Sequence, residues 1–110
     1  MRAEIVRKLE SNIPIIARSG EVMYGANYVI WSLENIPDKV KAVVVSRNPP
    51  PNFLERLNEI VNKKGLKIPI IFSSKTNMEL ADLCGRPHSV SALCILDFGN
   101  AAISEEDLYE

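Results

Sequence analysis

No apolar stretch in these 110 residues approaches the roughly 18 consecutive residues that a membrane-spanning helix needs, so no membrane partner is expected. The beginning of the chain lacks a signal-peptide core: Arg2, Glu4, Arg7 and Lys8 interleave with single apolar residues, which points to the cytoplasm. Cysteine is scarce. Cys84 and Cys94 stand ten residues apart, without C-x-x-C spacing and among apolar neighbours, as suits buried thiols in a reduced compartment rather than a disulfide or a metal site. With a single His, no metal-ligand spacing, no G-x-x-x-x-G-K loop and no nucleophile beside an evident base, the sequence points away from an enzyme. Neither a cofactor nor a small-molecule substrate is expected.

What is present is an ordinary globular composition, 46% apolar and 25% charged. This length buries one core without help from metals or disulfides. A net charge of −1 argues weakly against nucleic acid. Four of the 14 acidic residues, however, are Glu105, Glu106, Asp107 and Glu110, so residues 1–103 hold 13 basic and 10 acidic side chains and are mildly basic. We read residues 1–103 as one domain with an N-terminal helical segment, and residues 104–110 as an acidic C-terminal tail.

Hydrophobic spacing sets out the elements. Residues 3–10 place Ile5, Val6 and Leu9 on one helical face and leave Arg7, Lys8 and Glu10 off it; Pro14 then opens a short continuation, or kinks one longer helix, up to Gly20. Residues 21–24 read as a strand. In residues 26–34, Ala26, Val29, Ile30 and Leu33 follow the i, i+3, i+4, i+7 rule of a core-facing helix. Val43, Val44 and Val45 form a β-branched run suited to a central strand covered on both faces. After the prolines at 49–51, residues 52–64 predict a helix stopped by Gly65, and residues 69–73 a short buried strand. Thr76 and Glu79 fit a capping box for a helix over 77–84, ended by Gly85. Residues 90–97 read as the last long strand, and residues 101–103 are candidates for a brief further pairing. Alternation of helices with short apolar strands predicts a three-layer α/β/α sandwich with a sheet of about four strands.

One stretch combines turn chemistry with polar side chains. Leu83-Cys84-Gly85-Arg86-Pro87-His88-Ser89-Val90 ends a helix, turns, presents Arg86 and His88, and enters a strand. Together with Glu79-Leu80 and the earlier Ser19-Gly20-Glu21-Val22-Met23-Tyr24-Gly25, it resembles the archaeal and eukaryotic large-subunit ribosomal protein family called "thirty-e", within a superfamily that binds kink-turn RNA. The resemblance implies a mixed sheet, ribosomal RNA and ribosomal proteins as partners, and three loops that meet to grip a sharply bent internal loop. Gly25 and Ala26 would bring backbone N–H groups to a phosphate, and Asn27, which matches a Gly-x-Asn of the box C/D branch, would read a base edge. Arg47 and Asn48 would supply a cation and an amide. Glu79 and Leu80 match the family's Glu-Leu pair, and Arg86, Pro87, His88 and Ser89 form the last loop, with Arg86 for phosphate and His88 for an extruded nucleotide.

Residue chemistry leaves other roles open. Gly25 also suits a tight turn, Asn27 a helix cap, Asn48 a turn and Glu79 the capping box. The sequence departs from the family at Ala81, where Gly is usual, and at Tyr28 and Trp31, where the superfamily tends to place charged RNA contacts. These aromatics either stack on unpaired bases or are covered, by the N-terminal helix or by a neighbouring subunit, with cover the favoured reading. The function this implies is a structural, non-catalytic large-subunit protein bound to a kink-turn in ribosomal RNA. Alternatives are a kink-turn subunit of another ribonucleoprotein and a protein-interaction module of the same fold without RNA affinity.

Overall fold

A computed structural model describes residues 3–109. Among the described residues, five α-helices and four strands follow in the order α1 (Ala3–Ser19), β1 (Glu21–Tyr24), α2 (Ala26–Asn35), β2 (Ala42–Val45), α3 (Phe53–Lys64), β3 (Ile70–Phe72), α4 (Asn77–Cys84), β4 (Ala92–Asp97) and α5 (Glu105–Leu108), with a 3-10 turn at Pro37–Lys39. The sheet order is β1-β4-β2-β3. β4 runs antiparallel to both its neighbours, whereas β2 and β3 are parallel, so the sheet is mixed.

Strand composition explains the layers. Because side chains alternate across a sheet, Ala42 and Val44 of β2 join Leu93 and Ile95 of β4 on one face, and Val43 and Val45 join Ala92 and Cys94 on the other. The first face is covered by Leu9, Ile13 and Ile16 of α1 and Leu80 of α4. Val29, Ile30 and Leu33 of α2, with Phe53 and Leu57 of α3, cover the second. β2 is therefore interior and apolar throughout, as its valine run demands. The three-layer α/β/α architecture follows from two apolar sheet faces that each need a helical cover.

Of the two readings open for the N-terminal segment, the single longer helix is the one found, since α1 runs through Pro14; burial of Ile13 and Ile16 keeps the turn in place although Pro14 has no N–H to bond back. Two expectations are corrected. Glu10, which helical spacing sets off the apolar face, is buried. Residues 101–103 form no strand; Ile103 packs into the core while the Ala102 N–H donates to the Asn12 side-chain oxygen at 3.0 Å. The acidic segment beyond them forms α5, capped by Ser104 and Asp107, with Leu108 buried.

One glycine is demanded by a close approach. A Cβ on Gly20 would overlap the carbonyl oxygen of Asp97, so the α1–β1 junction lies against the end of β4 only because that side chain is missing.

Candidate nucleic-acid interface

Strand directions decide where the polar loops fall. β1, β2 and β3 all end, and β4 begins, at the same end of the sheet. The loops after β1 and β2 are tied to the residues that enter β4: the Gly25 N–H donates to the Ala92 carbonyl at 2.8 Å and the Ser46 N–H to the Ser91 carbonyl at 2.9 Å. Residues 25–27, 46–48 and 86–91 are thereby neighbours, although the chain separates them widely.

The first loop is a backbone device. Gly25 adopts φ 103°, a conformation that disfavours any side chain, and precedes α2 as its N-cap without a side-chain cap. The first N–H groups of a helix have no partner inside it, so this terminus turns donors and a positive dipole end toward the loop cluster. Ala26 supplies backbone there while its methyl packs on the second core. Asn27 is exposed and does not cap the helix.

In the second loop Arg47 is exposed, with its N–H held by the Lys75 carbonyl at 2.8 Å. Asn48 has a defined structural task. Its side-chain oxygen accepts the Asn77 N–H at 2.8 Å and its amide donates to the Asn77 side-chain oxygen at 3.3 Å, which fixes the loop on the start of α4.

The third loop leaves α4 through Gly85, whose φ of 69° makes the left-handed C-cap. Arg86 then lies over the Tyr24 ring, its guanidinium carbon 4.4 Å from the centroid. Pro87, His88 and Ser89 are exposed. A cleft of about 220 Å³ runs between Tyr24, Gly25, Arg86 and His88, and one of about 440 Å³ between Asn27, Tyr28, Pro50 and Arg56. Burial raises the Tyr24 phenol pKa, as does Cys84, while Arg86 opposes them, so the ring stays a neutral platform beneath the cation.

Glu79 serves the capping box. Its carboxylate accepts the Thr76 N–H at 2.9 Å while the Thr76 hydroxyl accepts the Glu79 N–H at 3.2 Å. Those bonds with Thr76, aided by Lys75 and Arg47, hold its pKa below the usual value. Leu80 is a core residue at 0% exposure and presents nothing to a ligand, because its turn of α4 faces the sheet.

Tyr28 and Trp31 are 60% and 48% exposed. The N-terminal helix does not cover them: α1 lies on the opposite face of the sheet, beside α4. Together with Met23 and Asn27 they line an apolar cleft of about 300 Å³. The cysteines also differ from expectation. Cys94 is buried, but Cys84 is only half-buried, and burial pushes its thiol up to about 11.

Tyr24, Arg56 and Lys75 belong to this end of the molecule and were not singled out from the sequence. Tyr24 directly precedes the glycine turn, a signal that was available. Arg56 reaches the cleft one turn into α3, behind a left-handed Asn52 that only the backbone reveals.

A mixed β1-β4-β2-β3 sheet between two helical layers, with glycine-, asparagine- and arginine-bearing loops gathered at one end, is the setting in which comparison with known proteins becomes informative. The chain belongs to the Ribosomal protein L7Ae/L30e/S12e/Gadd45 family, whose model matches residues 7–105. It is similar to large ribosomal subunit protein eL30 of Methanopyrus kandleri, 30% identical over 96 residues that span 87% of this chain and 84% of that protein. The eL30 protein of Archaeoglobus fulgidus is 33% identical over 90 residues, 82% of this chain and 95% of the relative. That of Methanosarcina mazei is 27% identical over 106 residues, covering 94% and 95%.

Proposed function

We propose that this protein is a structural component of the large ribosomal subunit that binds a kink-turn in ribosomal RNA, without catalysis, beside other ribosomal proteins. The observation that carries the reading is the gathering of the Gly25, Arg47 and Arg86 loops at one end of the sheet in a chain of this family. Similarity to proteins named eL30 supports the ribosomal setting.

The mechanism is capture of a bent shape. Arg47, Arg86 and the N–H groups that open α2 meet phosphates, which position the RNA without reading sequence. Asn27, whose side chain does not cap the helix, reads a base edge. His88 and Pro87, on the rim of the Tyr24 cleft, pack against an extruded nucleotide. Glu79 and Asn48 act one step back, by keeping α4 and the second loop in place.

A titration against a kink-turn RNA, and against the same RNA with its sheared G·A pairs replaced, tests this at two salt concentrations. Selective binding that weakens with salt is expected, and Arg47→Ala should weaken it while lowering the slope of log affinity against log salt by about 1. Equal binding to both RNAs, or none, refutes the reading.

The exposed Tyr28 and Trp31 favour one alternative, a protein-interaction module in which that face of α2 docks a partner. Salt-insensitive association with a protein, in place of RNA binding, is its signature. A kink-turn subunit of a different ribonucleoprotein would be recognised by the RNA that copurifies.

A further inference from the structure

A buried carboxylate on the first helix is built into the support of the second loop. Glu10 is 7% exposed, and a charge withdrawn from water persists only where donors surround it. Its Oε2 accepts the Ser73 hydroxyl at 2.5 Å, the Ser74 N–H at 2.9 Å and the Ser74 hydroxyl at 3.0 Å, and its Oε1 takes the Ser74 hydroxyl at 3.3 Å. All of these donors come from one place, the connection between β3 and α4.

From that connection the bonds continue to the interface. The Ser73 hydroxyl oxygen accepts the Lys75 N–H at 3.0 Å, and the Ser73 N–H donates to the Val45 carbonyl at 2.8 Å. The Lys75 carbonyl accepts the Arg47 N–H at 2.8 Å, and the Asn77 N–H is held by Asn48. The backbone of Arg47 and the side chain of Asn48 are thus fastened to a segment that Glu10 of α1, 37 residues before Arg47 in the chain, fastens in turn. Linked polar groups in a low dielectric behave as a unit, so the loss of one member is felt along the line.

We propose that Glu10 is a positioning residue for the RNA interface, its carboxylate fixing the 73–75 connection and, through it, the Arg47 and Asn48 loop. This rests on the RNA-binding reading above. It gives α1 a role beyond covering the sheet, since Glu10 acts through the connection and not on the ligand. Gln at this position keeps the shape and an oxygen in the place of Oε2, but it removes the negative charge that these donors surround and puts an N–H₂ group in the place of Oε1, which accepts from the Ser74 hydroxyl.

The test uses the full chain with Glu10→Gln and, should that variant not fold, Ser73→Ala, which removes the hydroxyl at the centre of the relay. Amide hydrogen exchange of the free protein should quicken about tenfold at Arg47 and Asn77, while Val43 and Leu93 inside the sheet keep their wild-type rates. Affinity for the kink-turn RNA should fall by a similar factor. In a double-mutant cycle, Arg47→Ala should cost less in the Glu10→Gln background than in the wild type, whereas Asn27→Ala, across the sheet on α2, should cost the same in both. A purely structural role for Glu10 would lower the cost of neither. Unchanged exchange at Arg47, or strict additivity of Glu10 and Arg47, overturns the proposal. If wild-type protein binds no kink-turn RNA, the function proposed above fails, and the exchange rates alone decide whether Glu10 holds Arg47.

Discussion

Glu79 and Leu80 are adjacent in the chain and opposite in what they face. Leu80 fills the layer between α4 and the sheet, so Leu80→Ala should cost about 2–5 kcal/mol of stability in urea unfolding, with RNA affinity per folded molecule unchanged. Cys84 and Cys94 pose a similar question of environment against residue type. Burial raises both thiols, Cys84 to about 11, so the thiolate that reacts is scarce at neutral pH. Alkylation of the native protein should therefore be slow at pH 7 and accelerate for Cys84 as pH climbs toward 11. Rapid labelling at neutral pH would show that the Arg86 cation, not burial, governs that thiol.

Among the elements, α4 carries the most consequence for its length. Eight residues are capped at the start by Thr76 and Glu79, held there by Asn48, and stopped by Gly85 just before the last loop. Removing the hydroxyl cap with Thr76→Ala should destabilise the fold by about 1 kcal/mol. The Glu79 pKa is lowered in the folded protein, so its contribution is present above the unfolded-state carboxyl pKa and fades as pH falls through the depressed folded value. Glu79→Gln should remove this part of the acid limb of the stability curve. Identical acid limbs in the two proteins would show that the cap does not depend on charge. The capping box was legible in the sequence because its chemistry is local. The bond from the next residue, Asn77, to Asn48, 29 residues away, was not, since a bond between distant segments leaves no trace in spacing.

For the whole molecule, the sheet order settles which segments can cooperate. Because β4 lies antiparallel between β1 and β2, the loops that leave β1 and β2 and the loop that enters β4 share one end. The same closure reaches the C-terminal segment. Residues read as an acidic tail carry Leu108, 2% exposed in the first core, and Leu108→Ala should lower the stability of the entire domain by about 2–5 kcal/mol. A mutant with wild-type stability would mean that α5 is not part of the cooperative unit.

Local pattern determined much on its own. Valine at 43–45 dictated a doubly covered strand, helical spacing placed the core face of α2, and Thr76, Glu79 and Gly85 bounded α4, because propensity, burial period and capping are all read within a few residues. The family likeness was also legible, in the turn from Gly85 to His88. Only the tertiary structure decided that Glu10 is buried, that Leu80 is core, that α1 leaves Tyr28 and Trp31 uncovered, and that Tyr24 lies beneath Arg86. Each depends on which face of the sheet a helix occupies or which strands are neighbours, and those choices are made by long-range packing rather than by any neighbour in the chain.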